Sequence, residues 1–513
     1  MNPETLMQIK NYFLGFFLLA LLANSLRAKP QEQVLFGFDD HALPLRQGMR
    51  MQLVPYRTPL GDVKSPNLVL GPGKPGTPDS AGTCYYPGTV CQVGDELWMW
   101  YAGMSDQDER RSASRLCLAK SKDGINWERP NLGLVEFNGN KDNNLIEFKS
   151  GRSMHTMGAI IFHEPDSPDE SKLFKMAFIR GPGLNMAYSP DGVRWTESPN
   201  NPRTTAFIEP SGGVKWKGAY YVNGQGILNW SPDGYGTNRM LGTHISYDFE
   251  NWTEATVMGF RRDSLPPRPI TRTGNRDGEQ VHLGAALWNR ENVIIGFYGQ
   301  WHGHPNNDLR WVSIDIGLVI SHDAIHFSEP IPDFRMIEAA GSIPWFEPYA
   351  KQIPIYRAPA LTQGQGFANV GDKTLFWYGV WGSPVEGIHV AQWQRDRLGY
   401  LQPFVSANMS AKRAHVISAP VTVSGKDHWI KLNISGLSKD AGVKVTLLDE
   451  QFREIPGYTA AESKGPSASG LRQLVTWAKG AAVEAATFRV RIDFVGEDAS
   501  ELKLYAVYID SEK

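Results

Sequence analysis

A repeated phrase constrains this chain more than any other feature. Four segments carry Ser-x-Asp and close on an aromatic four residues after the aspartate: Ser121-Lys-Asp123-Gly-Ile-Asn-Trp127, Ser189-Pro-Asp191-Gly-Val-Arg-Trp195, Ser246-Tyr-Asp248-Phe-Glu-Asn-Trp252 and Ser321-His-Asp323-Ala-Ile-His-Phe327. The closing aromatics stand 68, 57 and 75 residues apart. Recurrence of this kind means one supersecondary unit used several times. Each phrase ends a strand-like run (Arg115–Ser121, Asn185–Ser189, Leu241–Ser246, Gly317–Ser321) and opens a turn. Asp and Gly supply the turn geometry, and the aromatic returns to pack between layers.

Two more apolar runs precede each phrase. The second of them reads Leu97-Trp-Met-Trp-Tyr-Ala102, Phe174-Lys-Met-Ala-Phe-Ile179, Ala219-Tyr-Tyr-Val-Asn223 and Val293-Ile-Ile-Gly-Phe-Tyr298. A fifth unit follows with Phe367-Ala-Asn-Val370, a Gly371-Asp372 turn, Thr374–Tyr378 and Gly387–Ala391; its phrase has decayed to Gln394-Arg-Asp-Arg-Leu-Gly399. Five such units predict an all-β fold, a five-bladed β-propeller over residues 33–405. The texture then changes. His428–Ile434, Val443–Leu448, Arg472–Trp477, Phe488–Phe494 and Leu502–Tyr508 alternate with period two, which predicts a β-sandwich over 411–513. Composition agrees: Gly 51 and Pro 34 serve turns, and 16 Trp, 18 Tyr and 23 Phe serve strands.

The formal net charge is −2, so the electrostatic footprint of a nucleic-acid binder is missing and no such partner is expected. Lys10 precedes an uncharged stretch, Asn11 to Leu26, that is short for a bilayer span and ends among small residues. Residues 1–28 therefore read as a secretory signal, which predicts a secreted or periplasmic protein with no membrane partner after cleavage. Three cysteines, Cys84, Cys91 and Cys117, are too few and too oddly spaced for a disulfide framework or a zinc site. Buried free thiols are the favoured reading over a Cys84–Cys91 pair.

The propeller-plus-sandwich order, with Trp98-Met-Trp-Tyr-Ala-Gly103 and Ser121–Trp127, resembles the five-bladed glycoside hydrolases of families 32 and 43 and their exported bacterial members. The likeness covers nearly the whole chain after the signal, and these motifs are architectural. The resemblance implies a carbohydrate substrate and a pocket at one end of the propeller axis. It implies carboxylates on the innermost strands there, including a glutamic acid that protonates the leaving oxygen. Glu209, in Ile208-Glu-Pro-Ser211 at the start of blade three, matches that acid in place and type.

Elsewhere the chain departs from the pattern. Blade one offers Tyr86 where an aspartate is expected, with Asp79 upstream, and blade two offers His155. Blade four instead carries an acid, Glu279, beside Gln280 and His282. Glu279 is the first choice for base or nucleophile, followed by Asp40 of the Phe38-Asp39-Asp40-His41 segment and then Asp79. Substrate contacts are expected from His155, Gln280, His282, Trp301, His302, Gln365 and Trp381, which pair aromatic faces with amide and imidazole donors. His302, His304 and Asp308 fit no strong zinc motif, so no metal or cofactor is expected beyond a weakly indicated axial cation. Arg261, Arg262, Arg268 and Arg272 form a basic stretch. The primary expectation is a glycoside hydrolase acting on plant or algal glycans. A glycan-binding propeller without catalysis, and a glycoside phosphorylase whose arginines hold phosphate, remain open beside it.

Overall fold

The computed structural model describes residues 32–56, 67–107, 114–149, 157–181, 183–206, 208–228, 238–254, 259–262, 278–303, 311–339, 343–345, 355–357, 360–381, 387–404, 414–425 and 427–511. The expected signal segment and His155 lie outside them, as do Arg268, Arg272, His304 and Asp308. Among the described residues no helix is long and apolar enough to cross a membrane.

The structure is nearly all β. Five successive units each contain three antiparallel strands: Gly82–Val93, Glu96–Met104 and Ser114–Ser121; Met157–His163, Phe174–Arg180 and Gly183–Ser189; Glu209–Trp216, Ala219–Leu228 and Asn238–Ser246; Glu279–Asn289, Ile294–His302 and Ser313–Ser321; Ala360–Val370, Lys373–Trp381 and Ile388–Gln394. The first strands pack side by side in cyclic order and close the ring where Gln365 pairs in parallel with Thr89. Outer fourth strands are short. Arg194–Glu197 completes blade two, Arg335–Ile337 blade four, and Leu68–Leu70 joins Ile388–Gln394 in blade five from far upstream. In blades one and three the fourth position shrinks to isolated bridges, Cys117 with Leu145 and Leu241 with Phe260.

The repeated phrase does the same work each time. Asp191 Oδ1 accepts the Val193 and Arg194 backbone N–H groups at 3.0 and 2.8 Å, and Ser189 Oγ accepts Gly192 N at 2.8 Å. Burial alone would raise the Asp123 pKa, but the N–H groups of Asn126 and Ile125 bring it down to about 2. The closing Trp195 and the preceding blade's Trp100 both donate to Gly192 O, at 3.0 and 2.9 Å. Trp127 and Trp377 share Gly124 O in the same way, so each turn ties its blade to a neighbour. Around these pairs the blade interfaces are apolar: Trp100, Leu118, Ile161, Met176 and Trp195 fill the space between blades one and two. Each large side chain buried there contributes about 1.5–3 kcal/mol. Asp191→Ala strands two backbone donors, and we expect it to cost about 1–3 kcal/mol in denaturant titration; no loss would make the turn ornamental.

The chain separates into two compact units. One comprises Phe36–Asp40 and Met51–Leu401; the other comprises the described part of Met1–Leu35, His41–Arg50 and Gln402–Lys513. The cut between the units in this part of the chain falls at Leu401/Gln402. His41–Arg50 joins the C-terminal unit because Leu45–Gln47 pairs with His415–Ile417. That unit is the sandwich. Trp429–Ser435, Lys503–Asp510 and Gly470–Leu474 belong to one sheet, and His415–Ile417, Thr487–Val495 and Gly442–Leu448 to the other. Ile430, Leu432, Val445, Val490, Ile492 and Leu504 are buried in its core. Cys91 and Cys117 are free thiols, and burial pushes Cys91 up to about 12, which makes it unreactive.

Candidate active site

Blades three and four begin alike, each with a glutamate as the first residue of its inner strand. Cross-strand partners share a face of the sheet. Glu209 sits opposite Gln225 and Glu279 opposite His302, and both pairs are hydrogen-bonded. Gln225 Nε2 donates to Glu209 Oε2 at 2.8 Å, and His302 Nδ1 lies 2.8 Å from Glu279 Oε2.

Both inner strands bulge just after their acid, between Pro210 and Gly212 and between His282 and Ala285. The second bulge places Leu283 and Gly284 at φ +66° and +85°. A Cβ on Gly284 would stand 2.6 Å from Gly224 Cα, so only glycine lets the two blades close here. The close approach brings Leu283 N to Gln225 Oε1 at 3.1 Å. Gln225 is therefore held by blade four while it orients Glu209 on blade three. Burial raises the Glu209 pKa, and the Arg239 charge only partly opposes it. A half-buried carboxyl of this kind keeps its proton longer than an exposed one, as a general acid must.

Glu279 has different surroundings. Its Oε2 accepts from Arg262 Nη2 at 2.9 Å as well as facing His302. Arg262 is 3% exposed, bonds Asp333, and donates through Nη1 to Trp301 O at 3.1 Å. His302 Nε2 lies 2.9 Å from Asp315 Oδ2, and Asp315 also pairs with Arg335 Nε at 3.1 Å. With an acceptor at each ring nitrogen, the doubly protonated imidazolium suits the His302 position. Burial would lower the His302 pKa, but hydrogen bonds to Asp315 and then Glu279 outweigh it and raise it. Ligand-type atoms of Glu279, His302 and Asp333 come within 4.8 Å of one another. The Arg262 guanidinium bonds two of these three groups, so a protein cation already holds the place a metal ion would take.

Stability from the His302 clamp follows its charge. Because the folded pKa is raised, the contribution is complete below the ordinary value of 6.5 and is lost as pH rises through the folded value. His302→Gln is expected to flatten the thermal-stability profile above pH 6.5; a profile parallel to wild type would remove the imidazolium.

Trp301, Gln365 and Asp79 serve the frame. Trp301 is 1% exposed, with the Arg239 guanidinium 4.3 Å over its ring and His282 5.5 Å away, so it is a covered wall and not the open sugar platform expected. Gln365 spends its amide on backbone: Oε1 accepts Gly213 N and Leu287 N at 3.1 and 2.8 Å, and Nε2 donates to Leu287 O at 2.7 Å. It stitches blades, where a substrate contact was expected. Asp79 is fully buried against Arg129 Nε at 2.6 Å and Tyr101 OH at 2.8 Å, a structural ion pair. Asp40 lies exposed in a turn, and its neighbour Asp39 is buried with His322 Nε2 at 3.1 Å. Gln280 and His282 are buried at the acid end of blade four, and burial, then the Arg239 charge, drives His282 well below its usual pKa. The Trp381 backbone pairs with Ala360; its side chain, like that of Tyr86, lies outside the described residues.

Sequence reasoning missed Gln363, whose Nε2 reaches His282 O and Gly284 O, both at 2.8 Å, and Ser211 Oγ at 3.3 Å. It also missed the pairing of Arg262, which the basic stretch advertised only as charge.

No family model matches the chain, and no curated protein matches it. Solved structures do. A glycosyl hydrolase from Bacteroides ovatus is 15% identical, with a TM-score of 0.44 over 67% of this chain and 95% of its own. A structure from the GH130 family of mannoside phosphorylases, which contains glycoside hydrolases that target beta-1,2 mannosidic linkages in Candida mannan, is also 15% identical, at 0.43 over 67% and 95%. A family 43 arabinoxylan arabinofuranohydrolase from Bacillus subtilis is 12% identical, at 0.38 over 87% and 99%.

Proposed function

We propose that the protein cleaves glycosidic bonds of a plant or algal oligo- or polysaccharide, with Glu209 as the proton donor. One observation carries this reading: a half-buried carboxyl with a raised pKa, oriented by Gln225, opens the inner strand of blade three. Glu209 gives its proton to the glycosidic oxygen as the bond to the anomeric carbon breaks; water adds its oxygen at that carbon, and the proton it releases passes to a carboxylate of the site. Glu279, in the equivalent position of the next blade and clamped by Arg262 and His302, is the second carboxylate. Neighbouring acids in unlike environments divide the acid and anionic roles between them. From Lys10 and the uncharged stretch after it, we further infer export to the periplasm or beyond.

The test is a digestion panel of plant and algal glycans, with and without inorganic phosphate. Free reducing sugar from wild type and none from Glu209→Gln supports hydrolysis. A sugar phosphate in its place would assign a phosphorylase. Glycan binding without cleavage by either protein would overturn the enzyme.

A further inference from the structure

We propose a second, non-catalytic saccharide site between blades two and three, at the opposite end of the strands from Glu209. The choice of ligand class rests on the glycan-active reading above; the cavity itself does not. Glu209 begins an inner strand. The cavity instead gathers Tyr188 and Pro190, where the third strand of blade two finishes, Lys172, just before its second strand, and Glu250, which follows the third strand of blade three. In antiparallel units these points share one end, and strand starts such as Glu209 share the other; from there the cavity extends along the outer edge of blade two, lined by Thr196, Ser198 and Arg203. The cavity measures about 670 Å³, within the range of small-ligand sites.

Its chemistry selects the ligand by elimination. Glu250 accepts Tyr188 OH at 2.6 Å and an Arg203 N–H, and Lys172 Nζ stands 3.6 Å away. Arg203, whose side chain is 11% exposed, also donates to Ser198 Oγ at 2.6 Å. Its Nε is buried without an acceptor. Glu197 lines the same space and is paired with Arg180 at 2.6 Å. An anion would meet Glu250 and Glu197, and a cation would meet Lys172 and Arg203. A purely apolar ligand would strand all four charges from water. A neutral polyol offers each donor an oxygen and each carboxylate a hydroxyl; Lys172 Nζ already stands 4.7 Å over the Tyr188 ring, so the apolar contact falls to Pro190.

The probes are xylotetraose, arabinotetraose, mannotetraose and galactotetraose, titrated calorimetrically into Glu209→Gln protein. Two binding events are expected for at least one of them. Asn200→Trp, on an exposed turn at the cavity, and Thr196→Trp, on the exposed side of a short strand, should each weaken one event at least 10-fold. The other event and the melting temperature should be unchanged. A single event insensitive to both variants overturns the proposal, as does preference of the sensitive event for tetragalacturonate. If wild type cleaves no glycan yet both variants remove a binding event, the catalytic reading fails and this site stands.

Discussion

Glu209→Gln should lower glycan cleavage by about 10²–10⁴-fold, the usual contribution of a positioned general acid. Glutamine preserves the shape and still presents an oxygen to Gln225 Nε2, so geometry is kept and only the transferable proton is lost. Stability offers a second, independent readout. The Glu209 pKa is raised above 4.5, first by burial, so the contribution of the folded carboxyl is complete below the ordinary value. It is lost as pH rises through the folded value, because ionising a half-buried group is unfavourable. The amide never ionises. Glu209→Gln should therefore melt at or above the wild-type temperature at pH 7, and the difference should shrink at pH 4. Full activity in the variant would move the acid elsewhere. Lost activity with a lower melting temperature at both pH values would mark Glu209 as a structural anchor instead.

How much of this was legible beforehand depends on which interactions are local. The blades were, because Ser-x-Asp-x-x-x-Trp closes its own turn: Asp191 bonds residues two and three ahead, and Trp195 bonds the residue three behind. Glu209 and Glu279 stood out as acids just ahead of apolar, glycine-containing runs. Their partners did not, because bulges hide register. Counting back from the hairpin where Asn289 faces Ile294, an unbroken ladder would set Glu279 opposite His304. The Leu283–Gly284 bulge moves the pairing by two residues and delivers His302 instead. In blade three, the bulge at Ser211 shifts the ladder by one and brings Gln225, in place of Gly226, to Glu209. A slip of one residue exchanges the faces of a strand, so no alternation pattern predicts such contacts. Trp301 was misread for a related reason. An aromatic near a strand end looks the same in sequence whether its ring is open or covered, and here Arg239 from blade three covers it.

Arg262→Met should be strongly destabilising while leaving Glu209 untouched. Arg262 is 3% exposed, and its guanidinium joins Glu279, Asp333 and the Trp301 carbonyl. Methionine keeps much of the volume but leaves two carboxylates close together with their shared cation gone. Breaking a fully buried pair from one side costs about 3–5 kcal/mol; the loss here should fall below that, because the Asp333 side chain is 35% exposed and Glu279 keeps His302 at 2.8 Å. Denaturant titration at pH 7 should register that loss. It should be smaller at a pH low enough to protonate the freed carboxylates, since neutral acids do not repel. Zinc provides the discriminating arm. With the guanidinium gone, Glu279, His302 and Asp333 present ligand atoms within 4.8 Å of one another. Added Zn²⁺ is then expected to restore part of the stability of Arg262→Met while leaving wild type unchanged. Equal stabilisation of both proteins would mean that the metal binds elsewhere and that Arg262 does not occupy the cation position. A neutral effect of the substitution itself would show that Glu279 is held by His302 alone, and its clamp would reduce to one residue.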